Sequence, residues 1–587
     1  MKTLKKLCLF VCFNVTVLFA VVPSSEKAAL IALYSTTGGV NWTNTWSNLI
    51  HTDPCEDNWY GITCTDDNAH VKKINLSDNN LIGTLHSSIG NLSSLTSLNL
   101  RYNTIGGSIP LEIGNLINLS GIYLSGNEFS GNIPTSFYFL VNLHVISLDY
   151  NNLTGTIPNQ LSNLTNLEYL NLSHNDFSGQ IPNFLGNFTN LKYLNLEHNQ
   201  FSGVITSHLR HLTQLRALFL GGNQFTISFI PTWIEELEKL EQLSLSWSQL
   251  VGTIPSWLGN LTNLRNLRLR DNQFTGTIPS HLSNLTNLEH LTLRNNQLTG
   301  TIPNSLGNLL NLKKLDLAYN QLSGHIPSAL ENLTKIIFLG LNNNQLRGTI
   351  PSFLGNLTDL QYLYLGSNNF YGNIPLSFEN LVKLKYLDIS YNTLYGSLDS
   401  VGMLPLVSFM FENNLFSEVT GLNPLQNPTY IYLKQNCLSD FSAISHLTNV
   451  HGENNQINLF TGWYFFCTDF DGDGIPAGAD GDWDYDGVLN VYDAFPHDAS
   501  ESVDTDGDGI GNNTDMDDDG DGISDALELA NGLNPLNASD AQVDNDGDGF
   551  SNVIELSLGT NMHSASSKPS WVPILMGNIM IFVPVKP

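Results

Sequence analysis

Hydrophobic and polar positions alternate in a frame that recurs along most of the chain. The frame reads LxLxxNxLxGxIP, as in ISLDYNNLTGTIP from Ile146 and LDLAYNQLSGHIP from Leu315. The LxLxx alternation places Leu on one face and variable residues on the other, so each frame predicts one short strand. The frame recurs every 24 residues with one slip, and its Asn stands at Asn79, Asn103, Asn127, Asn151, Asn175, Asn199, Asn223, Asn272, Asn296, Asn320, Asn344, Asn368 and Asn392, with Ser248 in one repeat.

The frame predicts a stack of about 17 repeats, the last of them shorter, through Asn414 and Asn436 to Asn455. A unit of this size cannot bury its own apolar residues, so it must pack against its neighbours. We expect each Asn amide to satisfy backbone groups of adjacent turns that would otherwise be buried unpaired. The Gly of GxIP suits a tight bend, and we expect its Pro to stop helix formation on the outer side.

The first residues have the layout of a secretory signal peptide over residues 1–23. Three lysines precede an uncharged apolar run from residue 7 to residue 23. The next stretch, SSEKAALIALYSTTGG, predicts a helix that ends at Gly38 and Gly39. Four cysteines remain after the signal peptide, an even number for an oxidising compartment: Cys55, Cys64, Cys437 and Cys467.

The repeats and the DPCEDNWYGITC segment before them resemble plant-type leucine-rich repeat proteins with their amino-terminal cap. The resemblance implies a cap over residues 24–71 with Cys55 bonded to Cys64, and a repeat solenoid over residues 72–465. The implied fold class is an α/β solenoid, a right-handed superhelix with a parallel β-sheet on its concave side. Cys437 and Cys467 form either a second disulfide or two buried thiols.

The acidic charge is concentrated in one region. The chain has 54 Asp and Glu against 24 Lys and Arg, a formal charge of −30. Residues 469–555 contain 25 acidic residues and no Lys or Arg. Such a surface repels a phosphate backbone, so a nucleic-acid partner is excluded.

The acidic region contains five 12-residue loops with calcium-ligand spacing. Such a loop needs oxygen ligands at positions 1, 3, 5, 9 and 12 and Gly at position 6 for a sharp turn. A disordered acidic tail is the alternative, but all five loops keep Gly at position 6 and a carboxylate at position 12. The candidate calcium ligands are Asp469, Asp471, Asp473 and Asp480; Asp482, Asp484, Asp486, Asn490 and Asp493; Asp504, Asp506, Asp508, Asn512 and Asp515; Asp517, Asp519, Asp521, Asp525 and Glu528; and Asp544, Asp546, Asp548, Asn552 and Glu555.

Residues 466–562 resemble thrombospondin type 3 repeats and related bacterial calcium-loop modules. The resemblance implies calcium as the cofactor. Helices on both sides of each loop are missing, which favours a calcium-stiffened stalk over a paired EF-hand sensor. A dockerin-like attachment module is the alternative, because ALELANGLNP after the fourth loop predicts a short helix. Plant-type repeats beside loops of this bacterial style favour a bacterial exported protein.

The tail, residues 563–587, resembles a degraded sorting signal. Its apolar run from Trp571 to Val585 has 15 residues and is interrupted by Pro573, Asn578 and Pro584. A membrane-spanning helix needs about 20 apolar residues. We therefore expect no stable membrane span.

The sequence predicts a binding function for the repeats rather than catalysis. No zinc-protease, nucleophile-elbow, nucleotide or dinucleotide motif is present, so we expect no enzyme. The leading hypothesis is a secreted or cell-surface recognition and adhesion protein that binds an extracellular protein or polysaccharide on its concave face. The alternatives are a structural, ice- or matrix-binding repeat protein, which needs the same exposed residues in every repeat, and a glycan hydrolase, which needs a catalytic acid pair.

Aligning the strands by their Leu positions predicts two groups of ligand-binding residues on the concave face. A basic and aromatic group suits an acidic ligand, and an aromatic group suits stacking on sugar rings or apolar side chains. The first group comprises Trp247, Arg268, Arg270, His290 and Arg294, and the second comprises Phe338, Tyr362, Tyr364 and Tyr386.

Overall fold

The computed structural model describes residues 21–226, 228–396, 398–416, 500–576 and 579–584, and between them 419, 422, 430–434, 436, 450–451, 486–488, 492–495 and 498. For residues 450–451, 571–576 and 579–584 it describes the backbone alone. The chain divides into two compact units. The first comprises Met1–Thr275 with Asn284–Asn296, and the second comprises Gly276–Ser283 with Gln297–Pro587.

The first unit opens with the cap. Helix α1 spans Ser24–Thr36, and a short strand, Ile62–Cys64, pairs antiparallel with the first repeat strand, Val71–Asn75. Cys55 and Cys64 are joined by a disulfide. The buried Glu26 accepts a hydrogen bond from the Val71 amide at 2.8 Å and pairs with His70 Nδ1 at 2.7 Å. The cap is thereby tied to the open end of the repeat stack.

The LxL segments of the first unit form one parallel inner sheet. Equivalent positions pair in register, so Leu170 lies between Ile146 and Leu194 of the neighbouring strands, and all three side chains are buried. Alternate residues face away from the core, as the pattern predicts. The strands are Val71–Asn75, Ser97–Asn99, Gly121–Tyr123, Val145–Ser147, Tyr169–Asn171, Tyr193–Asn195, Ala217–Phe219, Gln242–Ser244, Asn266–Arg268 and His290–Thr292.

A second row of short strands follows the Asn positions. These outer strands were not predicted from the sequence, because each has only two to five residues and no apolar alternation of its own. In the first unit they are Ile82–Thr84, Thr104–Ser108, Glu128–Gly131, Asn152–Gly155, Asp176–Gly179, Gln200–Gly203, Gln224–Phe225, Val251–Thr253 and Gln273–Gly276.

The expectation that the GxIP proline stops helix formation is wrong. Pro158 adopts an extended conformation, and its carbonyl accepts the Leu161 amide at 3.0 Å, so a single-turn 3-10 helix begins directly after it. A proline at a helix start is tolerated because no preceding carbonyl needs its missing N–H. The 3-10 helices are Gly39–Asn41, Ser87–Asn91, Leu111–Asn115, Thr135–Phe139, Asn159–Asn163, Asn183–Asn187, Ser207–His211, Thr232–Glu236, Ser256–Asn260, Ser280–Asn284, Asn304–Asn308, Ser328–Asn332, Ser352–Asn356, Leu376–Asn380 and Asp399–Val401.

The repeat asparagines, most of them buried, form a ladder of hydrogen bonds to the backbone, as predicted. Asn127 Nδ2 donates to the carbonyls of Leu100 at 2.9 Å and Leu124 at 3.0 Å, and its Oδ1 accepts the Ile105 amide at 3.0 Å. One side chain thus joins its own repeat to the preceding one. The ladder satisfies backbone groups that the turn would leave unpaired in the core.

The second unit continues the same repeat pattern. Its inner strands are Lys314–Asp316, Phe338–Gly340, Tyr362–Tyr364, Tyr386–Asp388, Ser408–Met410, Tyr430–Tyr432 and Val450–His451, parallel and in register. Its outer strands are Gln297–Leu298, Arg347–Thr349, Asn369–Gly372 and Thr393–Leu394.

The acidic loops of the second unit surround a small core of their own. Helices α2, Asp525–Asn531, and α3, Asn552–Leu558, each end at a glycine with positive φ, Gly532 and Gly559. Ile523, Leu533, Ala541 and Met562 are buried together. Strands Trp571–Met576 and Ile579–Pro584 pair antiparallel. Among the residues that the structure describes, no helix is long and apolar enough to cross a membrane.

Candidate functional site

The predicted aromatic residues of the second unit come together on the exposed face of the inner sheet. Phe338, Tyr362 and Tyr386 occupy one register column on three adjacent strands. The ring centroids of Tyr362 and Tyr386 lie 4.9 Å apart in a stacked arrangement, and those of Phe338 and Tyr364 lie 5.4 Å apart. All four rings are half-buried. We call this group the Phe338 cluster.

A cation borders the Phe338 cluster. The Lys314 ammonium lies 4.3 Å from the Phe338 ring centroid and 3.5 Å from an Asp316 carboxylate oxygen. A cation over an aromatic face is attracted by the ring quadrupole. The cluster therefore offers apolar ring surface with a positive charge at its edge.

The predicted basic residues lie on adjacent inner strands of the first unit. Arg268 is exposed and donates from Nε to Asn266 Oδ1 at 3.2 Å. The Arg270 guanidinium lies 3.9 Å from the Trp247 ring centroid and its Nε lies 3.6 Å from Asp271 Oδ2. His290 and Arg294 are half-buried on the next strand and turn. We call these five predicted residues the basic island.

An aspartate carboxylate borders the basic island. Arg270 already has Trp247 on one side and Asp271 on the other. Arg268 is the exposed arginine of the island. Contact with an acidic ligand therefore falls first on Arg268.

A second aromatic group on the inner sheet was not predicted from the sequence. Tyr169 and Tyr193 stack with ring centroids 4.3 Å apart, and Phe219 lies 5.5 Å from Tyr193. Burial raises the pKa of both tyrosines, and each tyrosine lies close to the other. The two tyrosines pair in register and occupy the same position of the repeat as Phe338, so the alignment of the strands would have found them.

An imidazole stack lies beside this second group, at the residues before the ladder asparagines. His174 stacks on Tyr150 at 4.1 Å and on His198 at 4.3 Å between ring centroids. Burial and the neighbouring His198 lower the pKa of His174. Three rings from successive repeats thus form one continuous stack.

The acidic loops bring their first carboxylates together. Oxygens of positions 1, 3 and 5 lie within 4.8 Å of one another in the third loop (Asp504, Asp506, Asp508), the fourth (Asp517, Asp519, Asp521) and the fifth (Asp544, Asp546, Asp548). The first loop and most of the second lie outside the described residues; of the ligands predicted there, Asp469, Asp471, Asp473, Asp480, Asp482, Asp484 and Asn490 are not described, while Asp486 and Asp493 are.

The glutamates at position 12 are buried against these carboxylates. Glu528 is fully buried, and neither of its carboxylate oxygens has a hydrogen-bond partner among the described residues. Burial, with Asp519 and Asp521 nearby, raises the pKa of Glu528 to about 7. Unpaired buried carboxylate oxygens are costly without a cation, so the donor set fits a hard divalent ion such as calcium.

The position 9 residues, predicted as ligands, each accept a hydrogen bond within their own loop. Asn512 Oδ1 accepts the Thr505 amide at 3.0 Å, and Asp525 Oδ1 accepts the Asp518 amide at 2.9 Å. In the fifth loop, Asn552 Oδ1 accepts the Asn545 amide at 3.4 Å. Each of these side chains therefore closes its loop by holding position 2.

The third loop contacts the outer face of the repeats. Arg347 Nη2 lies 2.9 Å from Asp504 Oδ2, and Nη1 donates to the Gly509 carbonyl at 3.4 Å. The Asp504 side chain is nearly fully buried at this contact. One arginine of the solenoid thus holds the first carboxylate of a candidate calcium loop.

Stacked LxLxxN repeats, an amino-terminal cap and a parallel inner sheet define a repeat solenoid. Family comparisons agree with this geometry. Residues 71–203 and 177–330 match the leucine-rich repeat region, residues 23–65 the leucine-rich repeat N-terminal domain, and residues 335–357 and 359–381 the leucine-rich repeat. Residues 517–538 and 544–561 match the bacterial TSP3 repeat.

Solved structures show the same relationship. A TDR receptor is 34% identical, with a TM-score of 0.60, over 65% of this chain and 68% of that one. The plant peptide hormone receptor RGFR1 in complex with RGF2 is 32% identical, with a TM-score of 0.58, over 66% of this chain and 64% of that one. A Leptospira interrogans leucine-rich repeat protein is 31% identical, with a TM-score of 0.50, over 58% of this chain and 84% of that one.

A curated relative is similar over a short segment. A probable leucine-rich repeat receptor-like protein kinase of Arabidopsis thaliana is 34% identical over 93 residues, which are 16% of this chain and 9% of the relative. The chain thus spans less than a tenth of that protein. The family matches and the similarity to the TDR receptor show that the chain belongs to the leucine-rich repeat family and carries bacterial TSP3 repeats.

Proposed function

We propose that this protein is a secreted or cell-surface recognition protein that binds an extended peptide or polysaccharide segment along its inner sheet. The observation that carries the proposal is the Phe338 cluster, in which rings from three adjacent strands form one half-buried apolar surface. Aromatic residues are rigid and contribute large contact areas, and they dominate binding surfaces for this reason.

The variation of the inner face supports recognition over lattice binding. The column that holds Phe338 contains Lys73, Ser97, Gly121 and Val145 in the first repeats. An ice- or matrix-binding array needs the same group at a regular spacing. A face whose residues change from strand to strand suits one ligand at one position.

The structural relatives favour a peptide-like ligand. The structure of RGFR1 contains the peptide hormone RGF2, and an Arabidopsis HAESA ectodomain, 28% identical with a TM-score of 0.55, was solved with an IDA peptide hormone ligand. We propose that this chain also uses its repeats to bind an extended segment. For the first unit alone, we propose that the basic island favours acidic ligands.

The TSP3 loops complete the proposal. Calcium at these loops would neutralise the clustered carboxylates and hold the loop chain in one compact form. The residues that would hold it are the position 1, 3 and 5 carboxylates and the position 12 glutamates. The module then serves as a stalk that spaces or attaches the recognition solenoid.

The test is a binding panel with the full chain in calcium. Immobilised protein is exposed to extracellular proteins, acidic peptides and polysaccharides, and captured ligands are measured by biolayer interferometry. Tyr362→Ser with Tyr386→Ser should weaken binding more than tenfold. The matched control is Tyr138→Ser, which removes an exposed ring from a 3-10 helix instead of the inner sheet. Equal affinity for the double variant and the control would reject the inner sheet as the site.

A further inference from the structure

The segments that follow the fourth and fifth loops have the same local structure. After each helix, an amide of the turn bonds back to the position 12 glutamate: Leu533 to the Glu528 carbonyl at 3.0 Å and Thr560 to the Glu555 carbonyl at 2.9 Å. Each segment then closes a second turn. The sequences Gly532–Asp540 and Gly559–Ser567 are therefore two copies of one motif.

The last residue of this motif differs between the copies. The Asn534 amide donates to Asp540 Oδ2 at 2.9 Å, and the equivalent Asn561 amide donates to Ser567 Oγ at 2.9 Å. The two side chains have the same place and the same hydrogen bond. The first brings a carboxylate to that place and the second a hydroxyl.

The extra carboxylate points at the fourth loop. Oxygens of Asp540, Asp521 and Glu528 lie within 4.8 Å of one another. Asp540 Oδ1 is buried and has no hydrogen-bond partner among the described residues, like both oxygens of the fully buried Glu528. Three buried or partly buried carboxylates that converge without a cation repel one another, which is the arrangement that a divalent ion stabilises.

The fifth loop lacks both features. Glu555 Oε1 accepts the Thr560 hydroxyl at 3.1 Å, where the fourth loop has the apolar Leu533. One glutamate oxygen of the fifth loop therefore has a protein partner, while both oxygens of Glu528 remain for metal.

We propose that Asp540, which lies outside the 12-residue loop, is a calcium ligand of the fourth loop and makes that loop the tightest calcium site among the described loops. The fourth site then has five carboxylates, Asp517, Asp519, Asp521, Glu528 and Asp540, against four in the fifth. Calcium affinity in loops of this kind rises with ligand charge and rigidity. The inference rests on the proposed calcium binding of the module.

Asp540 also links the fourth site to the fifth loop. Its carbonyl accepts Asn552 Nδ2 at 2.8 Å, and the carbonyl of Ala541 accepts the Val553 amide at 3.0 Å. Asn552 is fully buried at position 9 of the fifth loop. Calcium held by Asp540 thus fixes the residues that position the fifth loop, so filling of the fourth site favours filling of the fifth.

The experiment is hydrogen exchange of the full chain, measured by mass spectrometry during a calcium titration from the chelated state. Helices Asp525–Asn531 and Asn552–Leu558 report the fourth and fifth sites separately. In the unmodified protein we expect the first helix to become protected at lower calcium than the second. Asp540→Asn keeps the size and the acceptor for Asn534, and should raise the calcium midpoint of the first helix at least tenfold.

Ser567→Asp is the reciprocal variant. It adds the missing carboxylate to the fifth copy and should lower the midpoint of the second helix at least threefold, even if Asp540→Asn fails to fold. A midpoint within twofold of the unmodified protein in both variants would overturn the assignment of Asp540. Exchange that is independent of calcium in the unmodified protein would instead overturn calcium binding by the module.

Discussion

Removal of one ladder asparagine tests how the repeats hold together. Asn199 is buried, and its Nδ2 donates to the carbonyls of Leu172, Leu196 and Glu197 at 3.0 to 3.2 Å. Its Oδ1 accepts the buried Phe177 amide at 3.0 Å. We expect Asn199→Ala to destabilise the stack locally.

The magnitude follows from which groups lose their last partner. The Leu172 and Leu196 carbonyls each keep a second asparagine donor, Asn175 at 3.2 Å and Asn223 at 2.9 Å. The Phe177 amide has no second acceptor among the ladder asparagines. An orphaned buried amide costs about 1 to 3 kcal/mol and each lost shared bond about 0.5 kcal/mol, so we expect a loss of about 3 kcal/mol in the free energy of local opening.

Hydrogen exchange of a peptide covering residues 172–182 measures this loss. A change of about 3 kcal/mol corresponds to roughly hundredfold faster exchange. Asn190→Ala is the control, because Asn190 is exposed and makes one bond to the Thr165 carbonyl at 3.3 Å. An acceleration below threefold in Asn199→Ala would show that the ladder does not hold the repeats together.

Three further predictions concern charge. In chelator, the raised pKa of Glu528 means that the folded module binds the Glu528 proton more tightly than the unfolded chain does. Thermal melts should therefore show stability at pH 5 that is lost as the pH rises through about 7. With an acidic ligand, Arg268→Ala combined with Arg294→Ala should weaken binding more than tenfold and flatten its salt dependence, and unchanged binding in 50 to 500 mM salt would contradict this. Arg347→Met removes the cation beside Asp504 and should release the third loop from the repeats, which limited proteolysis would detect as new cleavage in that loop. An unchanged cleavage pattern would show that the ion pair does not hold the loop.

The sequence predicts the repeats well because the same physical requirement recurs in each one. Each LxLxxN frame must bury two leucines and satisfy one turn, so period, strand and ladder follow from the pattern. The outer strands do not follow from the pattern, because they depend on pairing between neighbouring repeats. Local propensity alone does not encode such pairing. The 3-10 helix after Pro158 is local, but it was not predicted because we expected the proline to stop helix formation.

The candidate sites were likewise only partly predictable from the sequence. Gly at position 6 and carboxylates at fixed spacing place the ligands within a loop, since those ligands lie close in sequence. Asp540 could not be predicted in this way, because it reaches Glu528 only after the turn that follows α2 has folded. Tyr169 and Tyr193 were predictable from the column alignment, whereas the packing of Arg270 between Trp247 and Asp271 required side-chain positions.

Recognition on the inner sheet is tested most directly by mapping the bound ligand on the folded protein. Once the binding panel yields a ligand, hydrogen exchange of the full chain in calcium is compared with and without saturating ligand. We predict new protection in the inner strands Phe338–Gly340, Tyr362–Tyr364 and Tyr386–Asp388, with little change in the 3-10 helices of the same repeats. Protection confined to those 3-10 helices, or to the calcium loops of residues 500–562, would contradict recognition on the inner sheet.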